Sequence, residues 1–267
     1  MVDYNQSSQY TLSIRVSADG FCFAVHHPKR AEEYAFMPYT VDPLLPITAN
    51  LKHACEELDM LQYSYGKVQL MLADVPATLV PAECFDDSSA RSLYVQNFPL
   101  TTSAQEVLSV AVAEGQHILL FAADKPLVRW ATRQFPDVEI THSLAPITTW
   151  MLAPDAKRRF VCNFHEKKMD VLFVDEGRLL FQNVFSVNSV SDAVYFVLGV
   201  WGSLSLSQEN DKLTLAGKSV DNRSLRAELS RFIANIEVLE PASEFHATEL
   251  ARIKGLPLDM QTLVSND

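Results

Sequence analysis

Glycine is scarce in this chain: 8 of 267 residues, against 13 prolines. The shortage argues against glycine-rich phosphate loops and flexible low-complexity linkers. No Walker loop, G-x-G-x-x-G fingerprint or G-x-S-x-G elbow occurs. Basic residues are also few: 22 Lys and Arg face 33 Asp and Glu, a formal charge of −11 with no compensating basic block. Nucleic acid needs a positive stripe along its phosphates, so that partner class is set aside. An acidic surface chiefly serves solubility. No apolar run approaches the roughly 20 residues that span a bilayer. The most apolar segment, residues 193–201, is less than half that long. The opening MVDYNQSSQY lacks the basic and apolar regions of a signal peptide, which predicts a cytoplasmic protein without direct membrane insertion. Cys22, Cys55, Cys84 and Cys162 are scattered among apolar neighbours and read as reduced core residues.

What the chain does have is apolar bulk, 48% of its residues, enough for one large domain or two lobes. The stretch RRFVCNFHEKKMDVLFVDEGRLLFQNVFS predicts three consecutive antiparallel strands, at 160–164, 169–175 and 178–185. A polar kink at 165–168 joins the first two, and Asp175-Glu176-Gly177 supplies an acidic-Gly turn for the last two. On the third strand Phe181, Asn183 and Phe185 share one face, with Gln182 and Val184 on the other.

The start of the chain repeats this plan. Segments 11–17 and 21–27 flank Ala18-Asp19-Gly20, and 33–39 makes a third strand whose Pro38 places it near an end or edge. Apolar residues at 3.6-type spacing predict a helix over 46–61. A strand at 67–73 and a short extended piece at 77–81 follow, then a helix within 81–94 and a strand at 117–122. The next helix is capped by Asp124 and stopped by Pro136, before a short strand at 138–140 and a helix over 143–151. Later come a helix over about 190–202, capped by Ser189 or Ser191, a strand at 212–216, a helix at 222–233 and a strand at 236–239. A C-terminal helix over 245–253 is expected, with a loosely ordered end from Asp259. The order strand, turn, strand, strand, helix, strand, helix, strand therefore occurs twice, as an internal duplication. It predicts an α/β fold of two lobes, 1–157 and 158–267, each with a mixed sheet opened by a β-hairpin and flanked by helices. Two such lobes leave a cleft, a preferred place for a ligand.

This layout resembles the actin-like ATPase fold shared by actin, sugar kinases and Hsp70-type chaperones. In particular it is similar to the actin-like cytoplasmic components of type IV pilus and type II secretion machines, and to an uncharacterised bacterial family with this fold. The resemblance implies a nucleotide cleft built from three motifs. The first calls for an Asp near the end of strand one; here the position falls on Ser13 or Arg15, neither a carboxylate, and Asp19 lies in the turn itself. The second calls for an Asp before a glycine-rich turn; here it falls on Asn163, with His165, Glu166 and Lys167 in the turn. Those side chains stand where backbone N–H groups would approach a phosphate. The third calls for two adjacent glycines near the adenosine; LTLAGKS offers Gly217 and then Lys218.

Magnesium against phosphates needs one or two carboxylates, and phosphoryl transfer relies on that metal. Asn163 brings no charge to such a site. The expectation is a degenerate cleft marked by Arg15, Asn163, Gly217 and Lys218, without catalytic or metal-binding residues. A metal-independent nucleotide contact through Lys218 and Gly217 is left open, ATP hydrolysis is not expected, and the implied partner is another protein. The alternative is an ATP-dependent enzyme of the same fold using displaced acids, with Asp19, Glu166 and Asp170 as candidates. His165-Glu166 lacks the second histidine of a zinc-protease motif. His26 and His27 are consecutive in a strand and so point to opposite faces.

Overall fold

The computed structural model describes residues 2–17, 20–153, 158–165, 167–217, 222–240, 244, 245, 253 and 255–265. In chain order it carries β1 (Thr11–Ser17), β2 (Gly20–His27), β3 (Arg30–Tyr39), α1 (Ile47–Glu57), β4 (Lys67–Leu72), β5 (Ala77–Pro81) and α2 (Ala90–Asn97). There follow β6 (Gln105–Val112), β7 (His117–Asp124), α3 (Lys125–Gln134), β8 (Glu139–His142) and α4 (Leu144–Met151). The rest comprises β9 (Arg158–His165), β10 (Lys168–Asp175), β11 (Arg178–Ser186), α5 (Val190–Ser203), β12 (Lys212–Gly217), α6 (Asn222–Leu229), β13 (Asn235–Val238) and a last helix, α7 (Leu258–Ser265).

The chain divides into two compact units, Met1–Pro146 together with Thr248–Asp267, and Ile147–Ala247. The sequence suggested a division at 157/158. The structure draws it within α4 and assigns α7 to the first unit, because α7 packs on that unit's sheet.

The first unit has a five-stranded sheet in the order β3-β2-β1-β4-β8, and the second has β11-β10-β9-β12-β13. In both, the first three strands in chain order pair antiparallel, while the fourth pairs in parallel with the central strand and the fifth in parallel with the fourth. The duplication expected from the sequence is thus present strand for strand. Strand alternation explains the burial. Leu12, Ile14 and Val16 of β1 point into the main core of the first unit with Phe23, Leu70 and Phe121. Phe160, Cys162 and Phe164 of β9 do the same in the second, where Trp201 of α5 packs on Phe160 with ring centroids 5.2 Å apart. The Glu176-Gly177 turn has φ of 49° and 72°, the left-handed pair that a two-residue hairpin favours.

Several expected elements differ. A three-stranded antiparallel sheet, β5-β7-β6, includes β6, a strand not among the expected elements. Its apolar alternation at Leu108, Val110 and Val112 was the available signal. The helix expected over 46–61 ends at Glu57, where Leu58 turns extended, and resumes as a 3-10 turn over Asp59–Gln62. Within 81–94, Asp86 takes the Ser88 N–H in a capping box and delays the helix to Ala90. Asp124 stands at the N-cap of α3 without a capping side-chain bond, whereas Ser189 caps α5 by accepting from the Asp192 N–H at 3.2 Å. The region from Asp259, expected to be loose, is the buried helix α7. The helix expected over 245–253 falls, but for Phe245 and Ile253, outside the described residues. Among the described residues no helix is long and apolar enough to cross a membrane.

Candidate functional site

The polar residues of the cleft motifs sit on the central strand of each sheet, on the face turned away from the main core. In β1 that face carries Ser13, Arg15 and Ser17; in β9 it carries Val161, Asn163 and His165. The hairpin registers align the two. Ser17 faces Gly20 and Arg15 faces Cys22, while His165 faces Lys168 and Asn163 faces Asp170. Arg15, rather than Ser13, is therefore the counterpart of Asn163.

Arg15 is 3% exposed, and its Nε donates to Asp259 Oδ2 at 2.7 Å, with Asp259 1% exposed. The second carboxylate oxygen, Oδ1, accepts the Met260 N–H at 2.7 Å. Around this pair α7 and the residues before it cover the sheet: Leu256, Met260 and Leu263 pack on Cys22, Ala24 and Met71. Six consecutive residues of α7, Leu258 to Leu263, are buried. Nothing in the cleft motifs pointed to Asp259. The signal available was one acid within the apolar run PLDMQTLV, which a buried counter-charge would explain.

In the second unit the pairing is more local. Asn163 Nδ2 donates to Asp170 Oδ2 at 2.9 Å, and His165 Nε2 lies 2.9 Å from Asp170 Oδ1. Asp170 is 1% exposed, so both its oxygens are engaged inside the protein. Burial first, and then the charge of Asp170, push the Cys162 thiol well above its usual range, which keeps it neutral. Gly217 ends β12 opposite Phe164, with φ of 74°. A Cβ there would stand 2.0 Å from the Phe164 carbonyl oxygen and 2.8 Å from Asn163 Oδ1. Close approach of β12 to β9 therefore demands this glycine by itself.

Asn163, Gly217, His165 and Asp170 are thus neighbours within one unit. Arg15 and Ser13 belong to the other, with Ser13 Oγ 3.5 Å from Gln69 Oε1. Asp19, Glu166 and Lys218 lie outside the described residues. His26 is buried and His27 half-buried, on opposite faces of β2, and His27 Nδ1 accepts the Lys29 N–H at 3.0 Å. Among the described residues no three His, Cys, Asp or Glu side chains gather closely enough to hold a metal ion.

Two sheets of identical strand order, each opened by a hairpin, define this as a protein of the actin-like ATPase fold. It belongs to a family described as Protein of unknown function (DUF3822), whose profile matches residues 1–236. A crystal structure from Bacteroides thetaiotaomicron, of a protein with actin-like ATPase fold and unknown function, is 28% identical with a TM-score of 0.87 and covers 99% of both chains. The PilM–PilN type IV pilus biogenesis complex contains a chain 14% identical with a TM-score of 0.54, covering 96% of this chain and 97% of that one, a likeness of fold alone. Among curated proteins none matches the chain.

Proposed function

We infer that this is a non-catalytic actin-like protein, a cytoplasmic interaction component with a degenerate nucleotide cleft. The observation that carries the reading is the internal neutralisation of both central strands. Arg15 stands where the resemblance asks for a carboxylate, and it is held by Asp259 of the same chain. Asn163 stands at the matching position of the second sheet and is bonded to Asp170. A group that binds Mg²⁺ or phosphate must present its charge to the ligand, whereas Arg15 presents its charge to Asp259 and Asn163 has none to present. Gly217, the best remaining match to the adenosine motif, is accounted for by strand packing. The PilM–PilN complex supports the reading in one respect: a fold of this kind serves within a protein assembly.

The alternative, an ATPase or phosphotransferase using displaced acids, loses force at Asp170, whose two oxygens are occupied. Calorimetric titration with ATP separates the two. The expected result is no saturable heat with or without Mg²⁺. Tight binding that requires the metal, with turnover that collapses on changing one acidic residue, would establish the enzyme instead.

A further inference from the structure

A sheet edge offers unpaired backbone groups to any passing strand, and folded chains guard it with charge, proline or brevity. Among the described residues the three sheets have six edge strands, and five are guarded. β3 carries Arg30, Glu32, Glu33 and Pro38, and β6 carries Glu106. β8 and β13 have four residues each, Glu139 and Glu237 among them, and β5 has five and ends in Pro81. β11 differs: it runs nine residues, RLLFQNVFS, with its charge confined to Arg178 at the first position. It is the counterpart of β3, so the same place in the duplicated sheet is guarded in one unit and open in the other. A bulge leaves Leu180 outside the register with β10, so the regular run is 181–186. Within it the Val184 N–H donates to Asn183 Oδ1 at 2.8 Å, a side chain of the same strand taking the bond that a neighbouring strand would make. This N–H therefore points away from β10, and by the alternation of an antiparallel pair so does that of Gln182. Phe181 and Phe185 pack on the second unit's core, with exposed Asn183 between them. Phe185 stacks on Phe196 of α5 at 4.5 Å, and Phe196 meets Tyr195 at 5.3 Å, with Tyr195 73% exposed. An aromatic step thus leads from the strand edge out to solvent, the residue type that interfaces favour.

We propose that β11 pairs antiparallel with β11 of a second copy of this chain, joining two five-stranded sheets across a two-fold axis at Asn183. An antiparallel strand is self-complementary about such an axis, so the contact is isologous and closes as a dimer. The axis at Asn183 sets Phe181 opposite the partner's Phe185, and Gln182 opposite the partner's Val184. The Val184 N–H then leaves Asn183 Oδ1 for the partner's Gln182 carbonyl, and Phe181 and Phe185 form two aromatic cross-strand pairs. Charge favours a second copy as the occupant. A chain of formal charge −11 repels itself wherever carboxylates face each other, and the run 181–186 brings none. The pairing goes beyond the non-catalytic reading and uses no cleft residue, so ATP binding would leave it standing.

Sedimentation of the intact chain across a concentration series reads the mass directly. A dimer is expected, and Asn183→Lys, which sets two ammonium groups against each other at the axis, should weaken it about tenfold or more. Asn183 is exposed, so the variant should keep its fold, which circular dichroism checks. A monomer mass up to about 0.1 mM, or a dimer indifferent to Asn183→Lys, would overturn the proposal. Two further measurements need no new charge. In a Cys84→Ser background, which removes the exposed thiol, Asn183→Cys should cross-link into a disulfide dimer under mild oxidation, because opposed residues of a non-hydrogen-bonded pair sit about 4.5 Å apart at Cα. Ser186→Cys, set opposite the partner's Leu180 rather than its own copy, should not, and equal cross-linking of the two would overturn the pairing about Asn183. Hydrogen exchange of the unaltered chain tests the strand itself: the amides of Gln182 and Val184 should gain protection as concentration rises. Protection independent of concentration would end the proposal.

Discussion

Removing the Asp259 carboxylate leaves Arg15 buried without its counter-charge. Arginine keeps its charge at any accessible pH, so the penalty has no protonation route of escape. Side-chain exposures of 4% for Arg15 and 2% for Asp259 put the pair in the interior regime, where loss of one partner costs about 3–5 kcal/mol, rather than the surface regime of about 0–1 kcal/mol. At about 2–4 °C per kcal/mol for a domain of this size, Asp259→Leu should lower the thermal midpoint of the first unit by about 6–20 °C. Urea titration followed by tryptophan fluorescence reads the same loss, with Trp130 reporting the first unit and Trp201 the second. The Trp201 transition should stay in place. Combining Arg15→Met with Asp259→Leu removes both charges and should recover most of the loss, since apolar replacement of a buried pair is often neutral or stabilising. A single-variant cost under about 1 kcal/mol, or a double variant as unstable as the single one, would refute the reasoning that this pair is buried and mutually dependent.

Asp170→Leu strips partners from Asn163 and His165 together. With bonds to a charged group contributing about 1.5–3 kcal/mol each, the second unit should lose about 3–6 kcal/mol in urea, with the first unit unmoved. Gly217→Ala forces a Cβ to 2.0 Å from a backbone oxygen at φ of 74° and should destabilise by at least about 1–3 kcal/mol. Gly199→Ala, inside α5 with nothing within 4 Å of the new atom, should instead stabilise by about 0.5–1 kcal/mol in the same assay. Asp211 is held below its ordinary 3.8 chiefly by the hydrogen bond from Arg158, so its contribution is present above that value and drains away as pH falls through the lowered one. Arg158→Met should therefore flatten the acid limb of stability below about pH 4, measured by urea midpoints across pH. Burial, and then Glu56, push the Cys55 thiol to about 11, so at pH 8 about one molecule in a thousand carries the thiolate, and iodoacetamide should label exposed Cys84 far sooner.

How much of this was legible in the sequence follows from the range of each interaction. The two hairpins and the repeated strand order are local patterns, and alternation with acidic-Gly turns placed them within a residue or two. Asn163 and Gly217 were named from two separate motifs, and adjacent strands β9 and β12 of one sheet bring them side by side. Arg15 could be singled out, but its partner could not, since position 259 has no local relation to it. The same distance made the tail look loose: LDMQTLV mixes polar and apolar residues without a periodic face, and its burial depends on strands at the other end of the chain. Strand β6 escaped because only Val112 of its eight residues is buried, so polar residues interleave and dilute the apolar signal.

The separation of the two polar pairs along the chain has a consequence in time. Asn163 and Asp170 lie seven residues apart, so the second sheet can satisfy its central strand as soon as one hairpin closes. Arg15 and Asp259 lie 244 residues apart. At the ribosomal pace of about 5–20 residues per second, the first sheet waits roughly 10–50 s between the synthesis of its arginine and the arrival of its carboxylate. The half of the protein made first is therefore the half that finishes folding last, and during that interval its arginine stands without the carboxylate that matches it.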